Sequence, residues 1–121
     1  MIDIAKQVAF WRDGAQEDLL VAEELLEGGR VRHGLFFLHL ALEKILKAHV
    51  CRQTHDLAPR LHNLVRLAEL AERHLPQQYM GILAEMNRFA ITGRYPDSPF
   101  PLPTPEEART YADRAKEVWR A

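Results

Sequence analysis

The sequence predicts an all-α protein: an antiparallel up-and-down bundle of about five helices, with a proline-rich crossover before the last. Three observations predict it. Apolar residues recur at steps of three and four along most of the chain, the spacing of one helix face. The stretches that carry this spacing are separated by glycine or proline, and no strand pattern competes with them. Five of the seven prolines fall between Pro96 and Pro105, so that stretch continues neither a helix nor an inner strand. With 121 residues, no internal repeat and ordinary composition, the chain reads as one helical domain over residues 1–121.

The first helix is expected over residues 3–27, with Asp3 as its cap. Val8, Trp11, Ala15, Leu19, Ala22 and Leu26 form its apolar stripe. Gly28-Gly29 ends it, because a left-handed cap favours glycine. The central helix follows and fades between Cys51 and His55. In it Leu35, Leu38, Leu42 and Ile45 share one face, while Phe36, Phe37, Leu40, Ala41 and Leu46 cover most of the rest. A helix apolar nearly all round must be covered on several sides, which places it at the centre of the core. The short link makes these two helices an antiparallel hairpin.

Residues 52–60 are a connection that ends at Pro59. A third helix is expected near 60–74, burying Leu61, Leu64, Ala68, Ala71 and Leu75. Pro76 stops it and opens a fourth helix as a first-turn residue. There Tyr79, Ile82, Leu83, Met86, Phe89 and Ala90 face inward, and Gly93 ends the run. The stretch RYPDSPFPLPTP is an extended, stiff crossover. Thr104, Pro105 and Glu107 then spell a helix start with a capping box. The last helix, to about Arg120, buries Ala108, Tyr111 or Ala112, Ala115, and Val118 or Trp119.

Net charge is −1, which removes any wholesale electrostatic attraction to nucleic acid but leaves room for a local basic patch. One cysteine, Cys51, allows no intrachain disulfide and suits a reducing compartment. The N-terminus is mixed and polar, unlike a signal peptide. The most apolar run is broken by His39 and Glu43, short of the roughly 20 residues of a membrane span. The expected location is the cytoplasm, with no membrane contact.

Several residues carry possible chemistry. His39, Glu43 and Lys47 stand four apart in a polar line on the central helix. They form either a nucleotide or RNA contact, with Lys47 on phosphate and His39 on base or sugar, or a structural ion-pair row. Arg94 and Tyr95, just past a helix end, suit the rim of a phosphate pocket, and Arg88 can join them. Equally, Arg94 can satisfy the last carbonyls of its helix while Tyr95 pins the crossover. His49, Cys51, His55 and His62 match no compact zinc pattern, so Cys51 reads as a small packed hydrophobe and His62 as a cap or pairing group. There is no glycine-rich phosphate loop or nucleophilic triad. No metal and no cofactor is expected. The apolar surplus of the central helix suggests a homodimer through the hairpin of the first two helices.

The chain resembles the HEPN domain family of small helical bundles. The resemblance rests on an ordered set of pieces. In the first helix these are Trp11 and Asp18-Leu19-Leu20-Val21-Ala22-Glu23-Glu24-Leu25-Leu26. In the central helix the piece is F-x-x-H-x-A-x-E-K-x-L-K-A, here Phe36 through Ala48. His62-Asn63-Leu64 and Arg94-Tyr95-Pro96-Asp97 follow. The resemblance implies a four- or five-helix bundle that commonly dimerises. Many members act beside a small nucleotidyltransferase in toxin–antitoxin-like pairs. Some are metal-independent ribonucleases with an R-x(4–6)-H motif at the dimer interface; others bind nucleotides or partners. Here Arg88 and Arg94 are followed by no histidine at that spacing. Arg32 and His39 fit the motif literally, but at the start of the central helix. The expectation is therefore a non-catalytic nucleotide-binding or partner module. The alternatives are a ribonuclease using Arg94 with His39, and a purely structural interaction domain.

Overall fold

The computed structural model describes residues 2–94 and 101–120, with the backbone alone at 92–94. Among the described residues six helices follow in order: α1 (Ile4–Glu27), α2 (Val31–Thr54), α3 (Leu64–Leu70), α4 (Gln77–Met86), α5 (Arg88–Arg94) and α6 (Pro105–Arg120). Only Asn87 separates α4 from α5, so the pair is the expected fourth helix with a break in it. No strand occurs among the described residues.

Local chemistry explains the helix ends. The Asp3 side chain accepts a hydrogen bond from the Lys6 amide, satisfying a donor that α1 leaves open. At the other end Gly29 takes φ 77°, and the Arg30 amide reaches back to the Leu25 carbonyl at 2.8 Å. This closes α1 in the left-handed turn that favours glycine. At α6 the capping box forms as spelled: the Thr104 amide donates to Glu107 and the Glu107 amide donates to Thr104 Oγ1. Hydrogen bonding from the Thr104 amide first, and then from its side chain, to the charged form holds the Glu107 carboxyl below its ordinary range.

Helix α2 is the hub. It packs against α1, α3, α5 and α6, and Leu35, Leu38 and Leu42 are each 1% exposed. Burying such a side chain contributes about 1.5–3 kcal/mol, so this helix alone supplies much of the core. The hairpin with α1 is tight at Gly34, where an added Cβ would lie 2.5 Å from Leu26 Cδ2 and 2.6 Å from its Cγ. In the first turn of α2, Gly34→Ala should gain no more than about 1 kcal/mol in helix propensity. Overpacking costs about 1–3 kcal/mol and wins. Thermal unfolding should show Gly34→Ala below the wild type; a rise in Tm would mean that Leu26 moves aside freely.

Three expectations need correction. The third helix is shorter than 60–74. Asn63 caps it by accepting from the Arg66 amide at 3.2 Å, and Glu72 at φ 54° closes it. Apolar spacing does not register either stop. Pro76 caps α4 from outside instead of lying in its first turn. Of the aromatic residues expected on apolar helix faces, only Phe89 is core, at 1% exposed, while Trp11, Phe36 and Phe37 are half-buried. In α6 the alternatives resolve to Ala112 and Val118 as the buried members. Of the crossover, Tyr95 to Phe100 lie outside the described residues, and 101–104 form no regular element.

Candidate functional site

The polar line on α2 is an enclosed network. His39 is 0% exposed, Glu43 4% and Lys47 5%. Helical spacing brings them into line, and the surrounding helices close over them. Glu43 is the centre. Its Oε2 accepts from Lys47 Nζ at 3.0 Å, and its Oε1 lies 2.9 Å from His62 Nδ1 and 3.9 Å from His39 Nδ1. The Lys47 ammonium also sits 5.1 Å from the centre of the Trp11 ring, bringing α1 into the network. Of this group only His62 reaches well into solvent, its side chain 53% exposed.

His62 is the member that sequence spacing did not supply as a partner of Glu43. It stands 19 residues downstream, in the segment before α3. Its position is fixed by its neighbour. Asn63 caps α3 and accepts from Asn87 Nδ2 at 3.1 Å, while Asn87 Oδ1 accepts from the Leu64 amide at 2.8 Å. The paired asparagines thus tie the His62 segment to the α4–α5 break, one residue before Arg88.

Arg88 forms a second site. Its Nη2 donates to the Tyr111 hydroxyl at 2.7 Å, and its guanidinium lies 5.3 Å from the Phe89 ring and 5.8 Å from that of Tyr111. Phe89 and Tyr111 meet edge to face at 5.1 Å. Beside them an open cleft of about 180 Å³ is lined by Glu107, Thr110, Tyr111 and Arg114. Arginine stacked on rings keeps its remaining donors aimed in fixed directions, which suits recognition of phosphate or carboxylate. Arg94 is the last residue of α5; its side chain and all of Tyr95 lie outside the described residues.

A further, partly buried charge pair had no place in the sequence expectations. Asp18 of α1 meets Lys44 of α2 at 2.7 Å. Asp18 is one of the family-like residues of the first helix, and its pairing makes that piece a clamp of the hairpin. Cys51 is fully buried against Val8 and Ala48, and burial pushes its thiol pKa up, which makes it a poor nucleophile. Among the described residues no cluster of His, Cys, Asp and Glu is arranged to hold a metal ion, and no helix is long and apolar enough to cross a membrane.

Comparison with known proteins is consistent with this architecture. The HEPN domain matches residues 8–121. Among solved structures, the crystal structure of TT1696 from Thermus thermophilus is similar, with a TM-score of 0.80 and 23% identity over 94% of each chain. That likeness speaks for the fold. A comparison with curated proteins finds none that matches. From Val8 to its end, through the α1–α2 hairpin, the enclosed Glu43 row and the crossover to α6, this chain belongs to the HEPN domain family.

Proposed function

We propose that the chain is a non-catalytic HEPN module that binds a nucleotide or a protein partner and works with a small nucleotidyltransferase in a toxin–antitoxin-like pair. It acts as one helical unit over residues 1–121. Arg88, with Arg94 and Tyr95 at the crossover, holds the phosphate. His39, Glu43 and Lys47 support the site from inside the bundle rather than touching the ligand. A second copy packs on the α1–α2 hairpin, where Phe10 and Leu20 stand 65% and 57% exposed.

One observation carries the non-catalytic reading. Metal-free RNA cleavage needs a group that moves a proton near the phosphate, and arginine stays protonated. No histidine follows His74 in the sequence, and His39 is wholly enclosed. The Arg88–Arg94 end thus lacks the histidine that the R-x(4–6)-H motif supplies.

One observation favours the ribonuclease alternative. His62 is half-exposed, oriented by a buried carboxylate, and tied through Asn63 and Asn87 to the residue before Arg88. A carboxylate-oriented imidazole is how many enzymes present a general base. The deciding experiment is a metal-free RNA cleavage assay on the wild type, Arg94→Ala and His62→Ala, beside an ATP titration and light scattering. The expected result is no cleavage, saturable ATP binding that Arg94→Ala weakens, and a dimer. Cleavage lost in both variants would overturn the non-catalytic reading. ATP binding that stays flat to roughly 10 mM would remove its nucleotide half.

A further inference from the structure

Of the two histidines beside Glu43, only His62 meets water, and its two ring nitrogens have different surroundings. Nδ1 lies 2.9 Å from Glu43 Oε1, while no group among the described residues holds Nε2 by a hydrogen bond or an ion pair. The carboxylate behind the ring is fixed in place. Glu43 is 4% exposed, and its other oxygen accepts from Lys47 Nζ at 3.0 Å. An ionised carboxylate only accepts, so Nδ1 carries the ring proton and donates it to Oε1. The neutral ring then keeps its free electron pair on Nε2, at the opposite edge. The backbone beneath is held as well, because Asn63 caps α3 and accepts from Asn87.

A tie between the segment before α3 and α2 would account for a hydrogen bond here. It does not account for the acceptor being a charge kept inside the bundle, where desolvation is costly, behind a ring whose side chain is 53% exposed. The other outward histidines lack this arrangement. His33, His55 and His74 are exposed, and none of them has a carboxylate on its ring among the described residues. Histidine is one of the side chains that form covalent intermediates, and it needs a free nitrogen electron pair and a group that orients the ring. His62 has both.

We propose that His62 Nε2 is a phosphoryl acceptor, and that the donor is a phosphoramidate, the P–N linkage that a phosphorylated histidine of another protein also presents. The Nε2 electron pair attacks phosphorus, and the P–N bond of the donor breaks. Its electron pair leaves on nitrogen, so the protonated donor departs as a neutral base, ammonia or an imidazole. Nothing is oxidised or reduced. The His62 ring ends as an imidazolium phosphorylated on Nε2, with its proton still on Nδ1. The positive charge that the ring gains faces the Glu43 carboxylate, which a neutral acceptor would not offset. The new phosphate arrives on the segment that Asn63 and Asn87 tie to the break between α4 and α5. This role rests on the surroundings of His62 alone and stands whichever reading of the Arg88 site holds.

The test treats the full folded chain with potassium phosphoramidate and follows phosphate at each histidine by peptide mass spectrometry at alkaline pH. His62 should be labelled about tenfold or more faster than His33, His55 and His74. Phosphorus–proton NMR should place the group on Nε2. In concentrated urea, where the network is gone, the four rates should converge. Glu43→Gln keeps an acceptor but removes the charge, and should slow His62 by about tenfold or more while leaving the other three unchanged. Should Glu43→Gln fail to fold, the urea comparison on the wild type decides alone. Labelling of His62 no faster than of the three exposed histidines would overturn the proposal. So would attachment at Nδ1, a preference for His62 that persists in urea, or a folded Glu43→Gln that reacts like the wild type.

Discussion

Glu43→Ala is expected to lower stability by about 3–5 kcal/mol, the range for removing one partner of a buried ion pair. The loss comes less from the missing attraction than from what remains. Lys47, at 5% exposed, would keep its ammonium inside the bundle with only the Trp11 ring as compensation, and His62 would lose the acceptor 2.9 Å away. Against a typical total of about 5–15 kcal/mol, that is enough to unfold a marginal bundle near physiological temperature. Urea unfolding of Glu43→Ala and of Glu43→Leu with Lys47→Met separates the two contributions. The double variant removes both charges and should recover most of the loss, since apolar replacement of a buried pair is often neutral or stabilising. A double variant as unstable as Glu43→Ala would mean that the shape of the network, not its charge, holds α2 in place.

Phe89→Ala is expected to cost about 3–5 kcal/mol, the range for deleting a large buried aromatic. Phe89 is 1% exposed and carries α5 against the body of the bundle. It also forms the wall beside Arg88 and the edge-to-face pair with Tyr111. The variant should therefore lose more than volume: the Arg88–Tyr111 hydrogen bond would lose its support. The check is a comparison with Tyr111→Phe, which deletes only the hydroxyl that accepts from Arg88. Chemical unfolding should place Tyr111→Phe within about 0.5–1.5 kcal/mol of the wild type, the net worth of one hydrogen bond. If both substitutions were equally mild, α5 would owe its position to something other than Phe89.

These two residues also mark how far the sequence alone reaches. Phe89 was legible. Its spacing from Leu83 and Met86 placed it on an inward stripe, and all three are buried. The α1–α2 hairpin was legible to within a few residues, because a cap at Asp3 and glycines at 28 and 29 are local signals. The capping box at Thr104 and Glu107 was legible for the same reason. The third helix was not, because its ends are set by an asparagine that also bridges to Asn87 and by a glutamate in a left-handed turn.

Glu43 was half legible. Spacing put His39, Glu43 and Lys47 in one line, but a line on a helix is equally a contact for a ligand or the inside of a bundle. The choice between them depends on what covers it, and the covering groups arrive from elsewhere in the chain: Trp11 from α1 and His62 from the segment before α3. Arg88 and Tyr111 likewise meet across 23 residues, and Asp18 finds Lys44 only because α1 and α2 run antiparallel.

The sequence by itself determined the all-helical class, the bounds of the longer helices and the family. All of these follow from periodicity, caps and short patterns that act over a few residues. The tertiary structure decided which polar groups are enclosed and which face water. It made Glu43 the centre of a closed network, left His62 at its surface and set Arg88 beside two rings. Burial is a property of neighbouring elements, and no spacing along one helix states which elements those will be.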